Sequence, residues 1–94
     1  MGSTPKNWTI EFDPAAEREF GRLDKAIARR ISKFLFGRVA NLTDPRQIGE
    51  RLQGALSPYW KYRVGDYRII CSIENDRLVV LVLRVGHRRE IYSR

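Results

Sequence analysis

Leu78-Val79-Val80-Leu81-Val82-Leu83 is an unbroken apolar run of six residues. A strand with one wet face alternates apolar and polar residues, so a run without alternation predicts a strand covered on both faces. In a chain of 94 residues such a strand has to be central, with the other elements arranged around it. The spacing predicts that strand from Arg77 to Val85. Two more strands precede it, Tyr59 to Val64 and Tyr67 to Glu74, with Gly65-Asp66 between them and Asn75-Asp76 after them. Short polar or glycine-containing links between apolar runs are hairpin signals.

The first half reads differently. Trp8, Ile10 and Phe12 alternate with Thr9 and Glu11, as a half-buried strand does. Asp13 offers an N-cap, with Pro14 at the first helical position, and predicts a short helix to about Phe20. Asp24 offers a second cap. From it Ile27, Ile31 and Phe34-Leu35 recur at helical spacing and predict a helix to about Val39, its Phe34-Leu35-Phe36 end wedged against the sheet. Residues 41–48 read as a loop, and Arg51-Leu52-Gln53-Gly54 leads through Ser57-Pro58 into the strands. No repeat or linker interrupts the chain, so one domain over 1–94 is expected.

Cys71 is the single cysteine, which excludes an internal disulfide and a cysteine-built metal site. It falls in an apolar strand and is expected to be buried. No metal or cofactor motif is present. The N-terminus lacks the apolar run of a signal peptide, and no stretch approaches the ~20 apolar residues of a membrane span. A cytoplasmic protein with no membrane partner is expected. Eighteen Lys and Arg against eleven Asp and Glu leave a net charge of +7, which favours polyanionic partners.

Strand register decides where that charge goes. A two-residue Gly65-Asp66 loop sets Val64 opposite Tyr67, Arg63 opposite Arg68, Tyr62 opposite Ile69 and Lys61 opposite Ile70. Trp60, Tyr62, Val64, Tyr67, Ile69 and Cys71 then share the core face. Lys61, Arg63, Arg68 and Ser72 share the other, with Val79, Leu81 and Leu83 of the third strand beside them. Like charges opposite one another are unfavourable, and an anion would relieve them. Gly86 is expected to end the third strand, and the tail can fold back to add Arg88, Arg89 and Tyr92.

RNA carries its own nucleophile, the 2′-OH. Cleavage needs a base for that hydroxyl, cations for the charged phosphorane and an acid for the leaving oxygen, with no metal. A lysine among cations gives up its proton more readily, an arginine grips phosphate bidentately, and a tyrosine stacks on an unpaired base. Lys61, Arg68, Arg88 and Tyr92 are therefore candidate catalytic residues, with Arg63, Arg89 and Tyr59 as candidate RNA contacts. His87, the single histidine, is a further candidate for proton transfer, set against a positioning or surface role. The same patch also fits a general surface for nucleic acid or an acidic protein. Asp13, Glu17 and Asp24 have capping as their ordinary explanation.

Two phrases narrow these choices: Trp60-Lys61-Tyr62-Arg63-Val64-Gly65-Asp66-Tyr67-Arg68 and Val85-Gly86-His87-Arg88-Arg89-Glu90-Ile91-Tyr92. In this order, after a Trp8-to-Phe12 strand, Asp13-Pro14-Ala15-Ala16 and Arg51-Leu52-Gln53-Gly54, the chain resembles the RelE/ParE toxins of bacterial toxin–antitoxin systems. The resemblance implies a small α+β fold, an N-terminal strand and two helices packed on an antiparallel sheet of about four strands. In the RelE branch it implies a metal-free endoribonuclease that cuts mRNA in the ribosomal A site and leaves a 2′,3′-cyclic phosphate. It implies a cognate antitoxin that wraps the toxin, operator DNA bound only through that complex, and no cofactor. Lys61 matches a lysine proposed as general base or charge stabiliser, Arg68 a phosphate-binding arginine, Arg88 an arginine at the leaving group, and Tyr92 a C-terminal tyrosine that stacks or assists proton transfer. The family's ribonuclease type example has a further lysine where this chain has Tyr59 or Trp60, and lysine where this chain has His87. The tail is shorter, so the mobile C-terminal helix of some relatives is expected to be absent. The alternatives are a ParE-like inhibitor of DNA gyrase and a non-catalytic basic binding module. An antitoxin segment is expected over Val79, Leu81 and Leu83, or at the cationic patch with acidic residues.

Overall fold

A computed structural model describes residues 7–54 and 58–92. The elements are β1 (Thr9–Phe12), α1 (Pro14–Gly21), α2 (Lys25–Gly37), β2 (Glu50–Arg51), β3 (Trp60–Val64), β4 (Tyr67–Glu74), β5 (Val79–His87) and α3 (Arg88–Tyr92). Two 3-10 turns, Val39–Asn41 and Pro45–Ile48, connect α2 to β2. Both long helices start where their caps indicate. The Asp13 carboxylate accepts from the Ala15 N–H at 3.1 Å, and that of Asp24 accepts from Ala26 at 3.1 Å. No helix among the described residues is long and apolar enough to cross a membrane.

The strands form one sheet in the order β1-β5-β4-β3-β2. β4 is the middle strand; β5, expected to be central, is interior beside it, parallel to β1 and antiparallel to β4. The expected α+β architecture is present, but the sheet has five strands instead of about four and is mixed instead of antiparallel. β2 escapes a sequence reading because two residues carry no alternation. β1 runs parallel to β5 because the long connection between them, helices included, allows the return crossing that a tight hairpin does not.

α1 and α2 cover one face of the sheet. Ala16, Ile31 and Leu35 meet Tyr62, Ile69, Cys71, Val80, Val82 and Val85 in a single buried cluster. The Phe20 ring lies 5.3 Å from Phe12, and Phe34 stands edge-on to Tyr62 at 5.6 Å. Phe36 does not join the expected wedge and is 50% exposed, since the helical turn carries it to the outer side. α2 stops at Gly37, short of Val39. The chain turns inward there, with the Trp8 N–H donating to Ala40 O at 2.8 Å and Trp8 Nε1 donating to Thr43 O at 3.2 Å. Cys71 is fully buried, and burial pushes its thiol up, away from reactive thiolate chemistry.

Tyr62 is also fully buried, and its hydroxyl donates to Pro45 O at 2.7 Å. That bond ties the turn before β2 to β3. Tyr62→Phe leaves a buried carbonyl without its donor and is expected to cost about 1–2 kcal/mol, read by urea unfolding.

The β4–β5 turn and the course of β5 differ from expectation. The β4–β5 link is residues 75–78 instead of Asn75-Asp76, with Glu74 opposite Val79 and Leu78 at φ 54°. Arg77, expected in the strand, instead bonds Glu74 at 2.9 Å and Glu11 at 3.2 Å. Further along, Cys71 is opposite Val82 while Ile70 is opposite Arg84, so Leu83 is the extra residue of a β-bulge. The expected strip of Val79, Leu81 and Leu83 is broken there. Beyond the bulge Val85 joins the core face at 2% exposure, and Gly86 falls opposite Arg68. β5 continues past Gly86 to His87, and the tail forms the short helix α3.

Candidate functional site

The β3–β4 register is the expected one: Lys61 opposite Ile70, Tyr62 opposite Ile69, Arg63 opposite Arg68 and Val64 opposite Tyr67. Gly65, at φ +60°, supplies the left-handed residue of the turn. Tyr62, Ile69 and Cys71 go into the core, which sends Lys61, Arg63 and Arg68 to the opposite face.

The anion expected to relieve these charges is supplied by the chain itself. Glu50 of β2 pairs with Lys61, placing Oε1 3.2 Å from Lys61 Nζ and 3.8 Å from an Arg63 guanidinium nitrogen. The Lys61 hydrogen bond holds the Glu50 carboxyl below its ordinary range, aided by the charge of Arg63 and, more weakly, Arg68. The Lys61 side chain is 15% exposed and that of Arg63 61%, so the pair presents one sheltered and one open cation. Glu50 is the residue that sequence reasoning missed. It stands between the loop read over residues 41–48 and Arg51, in no predicted element, and nothing in its spacing assigns it to a sheet edge.

Arg68 is buried, at 7% exposure. One of its terminal nitrogens donates to Gly65 O and Tyr67 O, both at 3.0 Å, which turns the guanidinium along the hairpin. Its Nε is buried and meets no acceptor among the described residues. A buried charged donor without a partner is costly, and folded proteins keep few of them.

The tail reaches this neighbourhood through its backbone. The Arg88 N–H donates to Asp66 O at 2.8 Å, so α3 starts from the β3–β4 turn. A Cβ on Gly86 would sit 3.3 Å from Ile91 Cδ1, a tight contact, so glycine lets α3 lie against the strand without displacing that side chain. Arg88 and Arg89 are exposed. The Tyr92 backbone belongs to α3, and its side chain lies outside the described residues. Tyr59 is half-buried just ahead of β3, where its carbonyl accepts from Leu52 N–H at 2.9 Å.

His87 does not come to Lys61. It pairs with Tyr67, whose ring it meets edge-on at 5.5 Å, and Tyr67 projects to the helix side of the sheet. A cleft of about 600 Å³ opens there, lined by Glu19, Tyr67, Arg84, His87 and Glu90 among others. Lys61 and Arg68 do not line it, and its charges are of both signs. Glu19 closes much of its wall by accepting from Arg84 Nε at 2.9 Å and from Val85 N–H at 2.8 Å. In the cationic patch, by contrast, Arg63 alone is open to solvent, with Lys61 sheltered and Arg68 buried.

Residues 10–92 match the family described as the ParE toxin of the type II toxin–antitoxin system, parDE. The chain is 31% identical over 87 residues to Toxin RelG of Mycobacterium tuberculosis, covering 93% of this chain and 98% of that protein. It is 31% identical over 87 residues to the mRNA interferase toxin RelE of Escherichia coli, covering 89% of this chain and 88% of that one. Its fold superposes on the toxin–antitoxin complex RelBE2 of Mycobacterium tuberculosis with a TM-score of 0.81 at 28% identity, over 93% of this chain and 98% of the matched chain.

Proposed function

Since the chain belongs to the ParE toxin family of type II toxin–antitoxin systems, within the RelE/ParE superfamily, we propose that it is an endoribonuclease that cuts translated mRNA in the ribosomal A site. The observation that carries this reading is the anion already held on the sheet surface, the Glu50 carboxylate between Lys61 and Arg63. Cations that grip a carboxylate in this way also suit a phosphodiester. The likeness to a protein named mRNA interferase toxin RelE supports the same choice.

In this mechanism the RNA 2′-OH attacks the adjacent phosphorus and leaves a 2′,3′-cyclic phosphate. The ion pair favours Lys61 as a cation that stabilises the phosphorane, with the Glu50 carboxylate beside it taking the hydroxyl proton. Arg68, 7% exposed, adds its positive charge to the phosphorane from beneath the patch. The bond from phosphorus to the 5′ oxygen breaks, Arg88 meets the charge on that oxygen, which takes its proton from water, and Tyr92 stacks on a base. Arg63, Arg89 and Tyr59 hold the flanking RNA. The place of action is the cytoplasm. A cognate antitoxin is the partner that neutralises the toxin, and operator DNA is reached through that complex alone. With Val79 buried and Leu83 in the bulge, Leu81 and the cationic patch are the parts of this face left for antitoxin contact.

Primer extension on translated message tests the reading. Induction should produce new cuts in phase with codons, and Arg88→Ala should reduce them by about 100-fold. Intact message during growth arrest would sink it. The ParE description of the matching family favours one second reading, inhibition of DNA gyrase. Gyrase inhibition that survives the combined loss of Arg68 and Arg88 would establish that alternative.

A further inference from the structure

The hydrogen bonds at the start of α3 have no part in the chemistry above. The Arg89 N–H donates to His87 Nδ1 at 3.2 Å, and the His87 N–H donates to Glu90 Oε1 at 3.3 Å. The helix begins at Arg88, so His87 is its flanking residue, Arg89 its second position and Glu90 its third. A flanking side chain that accepts from the second N–H, with a third-position carboxylate reaching back to the flanking N–H, is a variant of the reciprocal capping box, whose cap ordinarily accepts from the third N–H. Serine or threonine usually fills the first role, and here an imidazole does. The Arg88 N–H is taken by Asp66 O at 2.8 Å. All three donors at this junction therefore have acceptors.

Those acceptors decide whether α3 exists. A helix of five residues is far below the length that holds itself together in water. Its support comes from the Asp66 carbonyl, the contact of Ile91 with Gly86, and the capping pair. The Tyr67 ring, edge-on at 5.5 Å, fixes the plane of the imidazole that provides the cap. On the far side of the sheet from Lys61, that imidazole is poorly placed to move a proton to or from the patch.

We propose that His87 is the N-cap of α3, a positioning residue whose Nδ1 lone pair holds the helix bearing Arg88 and Tyr92 against the β3–β4 hairpin. Its effect on cleavage rests on the ribonuclease reading, whereas the cap rests on hydrogen bonds alone. An N–H donating to Nδ1 requires the lone pair there, so the ring proton sits on Nε2.

Asparagine carries a side-chain oxygen and is among the preferred caps, whereas alanine has no acceptor. His87→Ala is expected to lower RNA cleavage about five- to tenfold, and His87→Asn to recover most of that loss. Equal loss in both variants overturns the proposal, because a proton-transfer role is lost equally with either substitution. Two readouts need no RNA. Long-range proton–nitrogen NMR spectra of the native protein should place the ring proton on Nε2. Amide exchange at Arg89 should quicken about five- to tenfold in His87→Ala and return toward native in His87→Asn. A proton on Nδ1, or equal Arg89 exchange in the native protein and His87→Ala, overturns the cap. If the native chain cleaves no RNA, the ribonuclease reading fails while the ring and exchange readouts still judge the cap.

Discussion

Arg68→Met is expected to cut RNA cleavage by about 100- to 1,000-fold while leaving the fold nearly as stable as before. The two effects separate because the charge and the bulk of this side chain serve different purposes. Arg68 is buried, so its methylenes fill space beneath the hairpin, and methionine keeps most of that volume. Its guanidinium donates to Gly65 O and Tyr67 O, which favours the native state, but Nε is buried without an acceptor, which opposes it. Removing both leaves a net change within about 1 kcal/mol. Catalysis has no such compensation, because a cation that grips the phosphorane disappears. Urea unfolding and cleavage assays on the same preparation measure both quantities. Cleavage at the native rate in Arg68→Met would remove Arg68 from the mechanism, and joint collapse of fold and activity would make it structural.

Glu50→Gln is expected to lower cleavage about 100-fold or more while tightening RNA binding. The amide keeps the shape of the carboxylate but cannot take a proton, and it releases Lys61 and Arg63 from an anion that competes with phosphate. The pH profile distinguishes the two groups of this pair. The Lys61 hydrogen bond and the Arg63 charge hold Glu50 below its ordinary range, so it remains ionised throughout neutral pH. A base with a depressed pKa is lost only as pH falls through that depressed value. The rate should therefore stay flat from about pH 8 to pH 6 and decline only below the ordinary carboxylate range near about 4.3. A neutral lysine acting as base would instead raise the rate about tenfold per pH unit across the same window, since an ordinary lysine titrates near about 10.4. A rising profile together with an active Glu50→Gln protein would return the proton to Lys61.

Much of this architecture can be read along the chain because the signals are local. The Asp13 and Asp24 caps, the two long helices, the three consecutive strands and the full β3–β4 register follow from periodicity and turn chemistry, and the structure has them. The register matters most, since it sends Lys61, Arg63 and Arg68 to one face and Tyr62, Ile69 and Cys71 to the other. Local reading failed where one residue altered parity. The Leu83 bulge turns Val85 inward and puts Gly86 opposite Arg68, which no alternation in an all-apolar run can reveal. Phe36 failed for a related reason, because three adjacent apolar residues on a helix cannot all face the same way.

Charge and pattern along the chain were thus enough to gather the cations on one sheet face, because side-chain parity is a property of consecutive residues. Their company could not be found that way. Glu50 reaches Lys61 only when a strand of two residues docks at the edge of the sheet. His87 leaves the patch because pairing with Tyr67 puts it on the helix side. Arg88 starts its helix at the hairpin because Asp66, far behind it in the chain, offers a carbonyl at 2.8 Å. Contacts of this kind join residues distant in sequence, and their energies depend on distances that exist only after the chain has closed on itself.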